Sequence, residues 1–228
     1  MKCNYCGQAQ QNKLSLKQIF SFTALVTEGM CQKCQAQFHL LCPEKSCQGC
    51  HRPSETQYCL DCQKWQQLYP DYDFHHDALY QYDQAMQEWM KAYKFQGAYH
   101  LKSSFALPLK KYFATKRSWF VVPIPVSQQR RIQRGFNQVE GLLDGAGIAY
   151  HLFLERIVDD LPQAQRTRQQ RLTLKQPFQV SPKFKEKIKN CSILLVDDVY
   201  TTGRTLFHAA DSIRKYQPKQ VQSFSLAR

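Results

Sequence analysis

Two adjacent carboxylates, Asp197 and Asp198, close an unbroken apolar run, ILLV at 193–196, and the string VYTTGRT follows at 199–205. That order has a chemical reading. A buried strand ending in paired acids, then a short polar loop with one glycine, then helical spacing, sets the acids and the loop at the carboxyl edge of an open α/β sheet, where such sheets bind ligands. A loop opening onto a helix N-terminus presents backbone N–H groups and a positive dipole end to an anion. Gly203 lets the backbone approach a phosphate closely, and Thr201, Thr202 and Thr205 add hydroxyl donors. Asp197 and Asp198 stand where they can bind ribose hydroxyls, directly or with Mg²⁺. An acid pair alone reads as an Asp-rich turn ahead of threonine caps; here the whole string agrees. Further back, VVPIPV at 121–126 reads as a strand whose Pro-rich end delivers Arg130, Arg131 and Arg134 near one point. Guanidinium forks match phosphate and pyrophosphate oxygens; the competing reading is a basic surface turn.

The second chemistry-bearing set is the cysteines. Nine of the ten lie within residues 3–62, eight of them in four CxxC pairs: Cys3/Cys6, Cys31/Cys34, Cys47/Cys50 and Cys59/Cys62. Each pair can turn two thiolates toward one metal, and zinc takes four in a tetrahedron. The sequential assignment joins the first two pairs and the last two, for one or two structural zinc sites. The last two have the short intervening loop of a zinc ribbon; the 24 residues between Cys6 and Cys31 leave the first set less fixed. Disulfides are the competing reading, disfavoured by a reducing compartment. Cys42 is expected to pack and Cys191 to be a small buried residue; His39 and His51 could substitute as ligands, although a lone histidine is more often bland. So small a cysteine-rich segment needs metal as a staple.

The elements that position these groups follow from apolar spacing. Residues 85–95 predict an amphipathic helix broken at Gly97, and 101–113 a second helix, interrupted by Pro108. Residues 119–124 and 193–196 read as strands covered on both faces. Helices are expected at 136–143 and 206–216, and strands at 151–157 and 221–226. Alternating strands and helices imply a parallel sheet with right-handed crossovers. Residues 158–190 break the rhythm, with 8 Lys/Arg against 3 Asp/Glu and little periodicity. A segment that long is usually a lid or an insert; within it, residues 166–174 read as a short helical piece. The expected division is a cysteine-zinc domain at 1–75 and an α/β domain at 76–228.

Composition bounds the rest. Of the formal charge of +13, residues 1–75 contribute 7 Lys/Arg against 6 Asp/Glu, whereas 76–228 contribute 24 against 12. The basic field belongs to the second part and favours polyanions. No run of about 18 apolar residues and no apolar signal-type stretch at the N-terminus is present, which predicts a cytoplasmic protein with no membrane insertion.

The string VDDVYTTGRT at 196–205 resembles the 5-phosphoribosyl-1-pyrophosphate (PRPP) signature of type I phosphoribosyltransferases. The resemblance implies that Asp197 and Asp198 engage the ribose hydroxyls, as the catalytic acids, and that Thr201, Thr202, Gly203, Arg204 and Thr205 cradle the 5′-phosphate. VPIPV at 122–126 with RRIQRGFNQ at 130–138, KFQG at 94–97 and PQAQR at 162–166, behind the cysteine pairs, resemble the ComF family of competence proteins across essentially the whole chain. The fold this implies is a type I phosphoribosyltransferase fold, a parallel sheet flanked by helices, preceded by a small zinc ribbon. It implies Arg130, Arg131 and Arg134 on the pyrophosphate side and Mg²⁺ bound with PRPP. It also implies a role in DNA uptake on incoming single-stranded DNA, with a ComFA-like ATPase as partner. Two departures stand out: Thr201 occupies a position where some type I transferases carry a carboxylate, and Arg204 adds charge where a small residue is common. An active transferase with an unknown acceptor is the alternative to a binding role.

Overall fold

The computed structural model describes residues 2–10, 29–157 and 176–228. The PQAQR motif, the expected piece at 166–174 and most of the basic stretch lie outside the described residues. Four parallel strands form the central sheet: β1 (His76–Tyr80), β2 (Phe120–Pro123), β5 (Ser192–Val199) and β6 (Gln220–Ala227), in the order β1-β6-β5-β2. This is the parallel α/β architecture expected. β3 (Leu154–Arg156) and β4 (Phe178–Val180) pair antiparallel, outside that sheet, with Arg156 opposite Phe178. The expectation that 151–157 extends the parallel alternation is therefore corrected: only three of those residues are strand, and they pair with a near neighbour in sequence.

Six helices matter for the site: α1 (Leu60–Leu68), α2 (Gln84–Phe95), α3 (Ala106–Phe113), α4 (Gln128–Arg134), α5 (Gln138–Gly145) and α6 (Arg204–Arg214). α2 begins where Asp83 accepts the Met86 amide and buries Met86, Trp89, Met90 and Tyr93. Gly97, at φ +67°, follows its end. The expected helix at 101–113 is a 3₁₀ turn, Tyr99–Ser103, followed by α3. Pro108 falls in the first turn of α3, where its missing N–H costs nothing. α1, β1 and α4 had no sequence-based expectation.

Ile193, Leu194, Leu195 and Val196 are all 4% exposed or less, because side chains alternate across a sheet covered on both faces. Leu194 and Val196 join the core built on Trp89, Tyr93, Phe105, Leu142 and Phe224. Ile193 and Leu195 join the core of α6 and the hairpin, with Phe153, Phe178, Ile188 and Phe207. Each core takes in one cysteine quartet: Cys3 and Cys34 belong to the first, and Cys47, Cys50, Cys59 and Cys62 to the second. Among the described residues, no helix is long and apolar enough to cross a membrane.

Candidate phosphate site and metal centres

The registers bring the ends of β2 and β5 together. Pro123 lies opposite Val196, and the Ile124 amide donates to the Val196 carbonyl at 2.9 Å. The chain that leaves β2 toward α4 and the chain that leaves β5 toward α6 thus emerge at one edge, as the sequence required.

Asp197 and Asp198 are the sixth and seventh residues of β5, not loop residues. Alternation sends their side chains apart. Asp198 is buried, and its Oδ2 lies 2.7 Å from Lys94 Nζ at the last turn of α2. Asp197 is half-buried, and its Oδ1 accepts the Asp198 amide at 2.9 Å. Burial and the neighbouring Asp198 charge push its carboxyl up to about 7, against the opposing pull of that amide, Lys94 and Arg156. One acid of the pair is thus held by a lysine, and burial beside it favours the protonated form of the other.

The loop after β5 turns through Gly203 at φ +80°, and α6 begins at Arg204. A Cβ on residue 203 would collide with Tyr200 Oη, so glycine is required both for the left-handed backbone and for space. Tyr200 is buried beneath the loop, and its hydroxyl has no hydrogen-bond partner among the described residues. Gly203 caps α6 with no side chain, and the amides of Thr201, Thr202, Gly203, Arg204 and Thr205 donate to none of the described residues. Five successive donors at a helix start form an anion cradle. Thr201, Thr202, Arg204 and Thr205 are exposed around it.

The three arginines diverge. They lie on α4, a helix rather than a turn, capped by Ser127, whose Oγ accepts the Arg130 amide at 3.3 Å. Arg130 and Arg134 share a face one turn apart. Arg134 is half-buried: its Nη1 donates to Gln138 Oε1 at 2.9 Å, and its guanidinium lies 5.0 Å from the Phe95 ring centre. Burial and Arg130 lower its pKa, while Asp198 opposes them, so Arg134 shares the field of the acid pair. Arg131 instead approaches Glu140 at 3.6 Å and is exposed. Asn137 and Gln138, whose roles the sequence left open, are structural: Asn137 caps α5 and donates to the Ile124 carbonyl at 3.0 Å, and Gln138 holds Arg134. Sequence reasoning gave no role to Lys94, Arg156, Tyr200, Trp65 or Arg228. KFQG at 94–97 had marked the first only by resemblance.

The cysteines form the two sequential quartets. In each, the four sulfurs lie within 4.8 Å of one another. Cys3 and Cys34 are 3.8 Å apart, Cys6 and Cys31 3.8 Å, and Cys50 and Cys59 3.7 Å. A regular tetrahedron with Zn–S bonds of about 2.3 Å has sulfur–sulfur edges of about 3.8 Å, far longer than a disulfide at about 2.05 Å. All ten cysteines are free. The Cys6 and Cys31 amides donate to Cys3 Sγ at 3.5 and 3.3 Å, outer hydrogen bonds of the kind that support a metal-bound thiolate. Both quartets can therefore hold zinc. His39 and His51 stand outside them. His39 pairs with Asp83 at 2.7 Å, and His51 Nδ1 accepts the Ala78 amide at 3.4 Å. Cys42 is exposed rather than packed, and Cys191 is only half-buried.

Residues 146–228 match the model of the phosphoribosyl transferase domain family. The chain is 32% identical to the competence protein ComFC of Streptococcus pneumoniae over 100% of both chains. It is 30% identical to ComFC of Bacillus subtilis over 88% of this chain and 85% of that one. Competence protein F of Haemophilus influenzae matches at 25% identity over 90% and 92%. With two zinc-competent quartets and full-length similarity at that level, this chain belongs to the ComFC family of competence proteins.

Proposed function

We propose that this chain is a cytosolic competence protein that binds Mg²⁺-PRPP, or a closely related phosphosugar, while handling incoming single-stranded DNA with a ComFA-type ATPase. The observation that carries the ligand reading is the run of five loop and helix amides at 201–205 without acceptors among the described residues, directly behind Asp197 and Asp198. In this reading the amides and the hydroxyls of Thr201, Thr202 and Thr205 take the 5′-phosphate, and Asp197 and Asp198 the ribose hydroxyls. Arg134 takes pyrophosphate oxygens, with Arg130 on the same helix face. Mg²⁺ bound with the ligand would supply charge neutralisation at the pyrophosphate. Residues 1–75, as a zinc-stapled domain, are the docking surface for the ATPase, and the basic field of 76–228 attracts the DNA strand.

A second reading, an active phosphoribosyltransferase, is favoured by one observation. Asp197 stands half-buried at the strand end with its carboxyl raised by burial and by Asp198, a group able to take a proton from an acceptor, which offsets the lack of a carboxylate at Thr201. Calorimetric titration with Mg²⁺-PRPP, with and without single-stranded DNA, tests both. Binding without pyrophosphate release supports the binder; pyrophosphate release that Asp197→Asn abolishes supports the enzyme. No heat with PRPP, and DNA affinity that ignores added salt, would remove the ligand and strand readings respectively.

A further inference from the structure

The phosphate loop is gripped from behind by two side chains that lead to the second cysteine quartet. Arg228 Nη1 donates to the Tyr200 carbonyl at 3.0 Å and to the Thr201 carbonyl. Trp65 Nε1 donates to the Thr202 carbonyl at 2.7 Å. Three successive loop carbonyls thus point toward one side. In a trans peptide the C=O and the following N–H point in opposite directions, and the chain has no cis peptide among its described residues. The amides of Thr201, Thr202 and Gly203 are thereby turned the other way, into the cradle.

Both donors are anchored on the quartet. Arg228 Nη2 donates to Cys50 Sγ at 3.2 Å, and its guanidinium lies 4.4 Å from the Tyr200 ring centre. Trp65 lies one turn after Cys62 on α1, whose N-cap is Cys59. Its ring stacks on Phe207 of α6 at 4.2 Å and 14°. A metal at Cys47, Cys50, Cys59 and Cys62 fixes the start of α1 and the acceptor of Arg228 together. Outer hydrogen bonds to metal-bound sulfur orient both partners.

We propose that this quartet and the phosphate loop are energetically coupled through Arg228 and Trp65, so that metal in the quartet and a sugar phosphate in the loop each strengthen the binding of the other. Linkage makes the effect reciprocal. Arg228 and Trp65 are positioning residues, because they hold the loop's carbonyl side rather than its amide side. The proposal rests on the loop being the PRPP site. The other quartet, Cys3/Cys6/Cys31/Cys34, lies in the opposite core and serves as the internal control.

The test uses the full zinc-loaded chain. Zinc release to a chromophoric chelator is followed with excess Mg²⁺, with and without saturating PRPP, and PRPP affinity is measured by calorimetry. Two release phases are expected, and PRPP should slow one of them on the order of 10-fold, within the usual range of coupling. Cys6→Ser, which weakens the first quartet, should keep the slowed phase. Arg228→Met should weaken PRPP on the order of 10-fold and abolish the slowing, with zinc content intact; Arg228→Lys should recover part of both. Trp65→Phe, which keeps the stack and removes only the N–H, carries the same test should Arg228→Met not fold. If PRPP binds the parent but leaves both of its release phases unchanged, or binds Arg228→Met and Trp65→Phe as tightly as the parent and slows zinc release from them equally, the coupling is wrong and the PRPP reading survives. If the parent does not bind PRPP, both fall.

Discussion

Replacing Asp197 by Asn should make the protein more stable at alkaline pH while destroying its affinity for Mg²⁺-PRPP. Burial and Asp198 push the Asp197 carboxyl from an ordinary 3.8 up to about 7. Below pH 3.8 the acid carries its proton whether the chain is folded or not, and pH has no purchase on it. Between 3.8 and 7 the unfolded chain ionises and the folded one does not, so stability falls as pH rises. Above 7 the loss is complete. At about 1.4 kcal/mol for each tenfold change in acidity, the ceiling is about 4 kcal/mol, and about half of it develops between pH 5.5 and 8.5. Water at the half-buried side chain reduces the realised difference to about 1–2 kcal/mol, or about 2–8 °C in Tm for a chain of this size. The assay is paired melting of parent and Asp197→Asn across that pH range with zinc present. Comparison at equal pH cancels the titration of the cysteines. The variant's advantage should widen toward pH 8.5 and vanish toward acid. A constant difference, or a variant that melts lower at pH 8.5, would refute the view that this acid is held under strain for a ligand. Such strain at a binding site is paid in stability.

Removing Lys94 should act oppositely: Lys94→Met leaves Asp198 buried and unpaired, which costs about 3–5 kcal/mol in urea unfolding, and adding Asp198→Asn should recover most of it. A cost below about 1 kcal/mol would mean the 2.7 Å pair is dispensable. Gly203→Ala should weaken Mg²⁺-PRPP by more than 10-fold in calorimetry, because a methyl meets Tyr200 Oη as well as a disfavoured φ. Gly147→Ala, also left-handed at φ +66° but with nothing within 4 Å of its Cβ, should cost about 1 kcal/mol of stability and no affinity. Elemental analysis should find close to two zinc ions per chain, and chelation should lower Tm by more than 10 °C, since each quartet is part of a core; zinc-free protein with an unchanged melt would overturn the metal reading.

The strand, acid pair, loop and helix at 193–214 were legible because every cue there is local. Four apolar residues, two acids, one glycine and a 3.6-residue spacing lie within one short window. The cysteine quartets were legible for the same reason, as pairs at fixed spacing. β1 was not, because HDALY puts a histidine where a buried strand wants an apolar side chain. His76 is fully buried only because Ser223 and Ser225 on β6 meet its two ring nitrogens at 2.9 and 3.0 Å, and satisfied polar groups can occupy a core. α4 was missed because QQRRIQR has no apolar stripe; it is capped by Ser127 and stopped by Gly135 at φ +79°, and it buries none of its residues. The hairpin was misread because three-residue strands carry too little periodicity to reveal their partner.

What no local pattern could reveal is the support of the site by distant chain. Lys94 reaches Asp198, Trp65 reaches a carbonyl 137 positions away, and Arg228 reaches Cys50 across 178. Each of these side chains reads in sequence as an ordinary member of a polar stretch or an amphipathic helix. Their common direction is informative. All three converge on the edge between β5 and α6 from elements that the motif does not contain, and two of them come from, or bond to, the segment that holds the second quartet. A loop that binds phosphate by its amides must have its carbonyls held elsewhere, since every peptide unit carries both. In this fold Trp65 of the cysteine segment supplies one hold, and Arg228, itself bonded to Cys50, supplies the other two. A cysteine module that served only for docking would have no need to bond one loop carbonyl and also the arginine that holds the two before it, so its place behind the loop is best explained as part of the binding machinery.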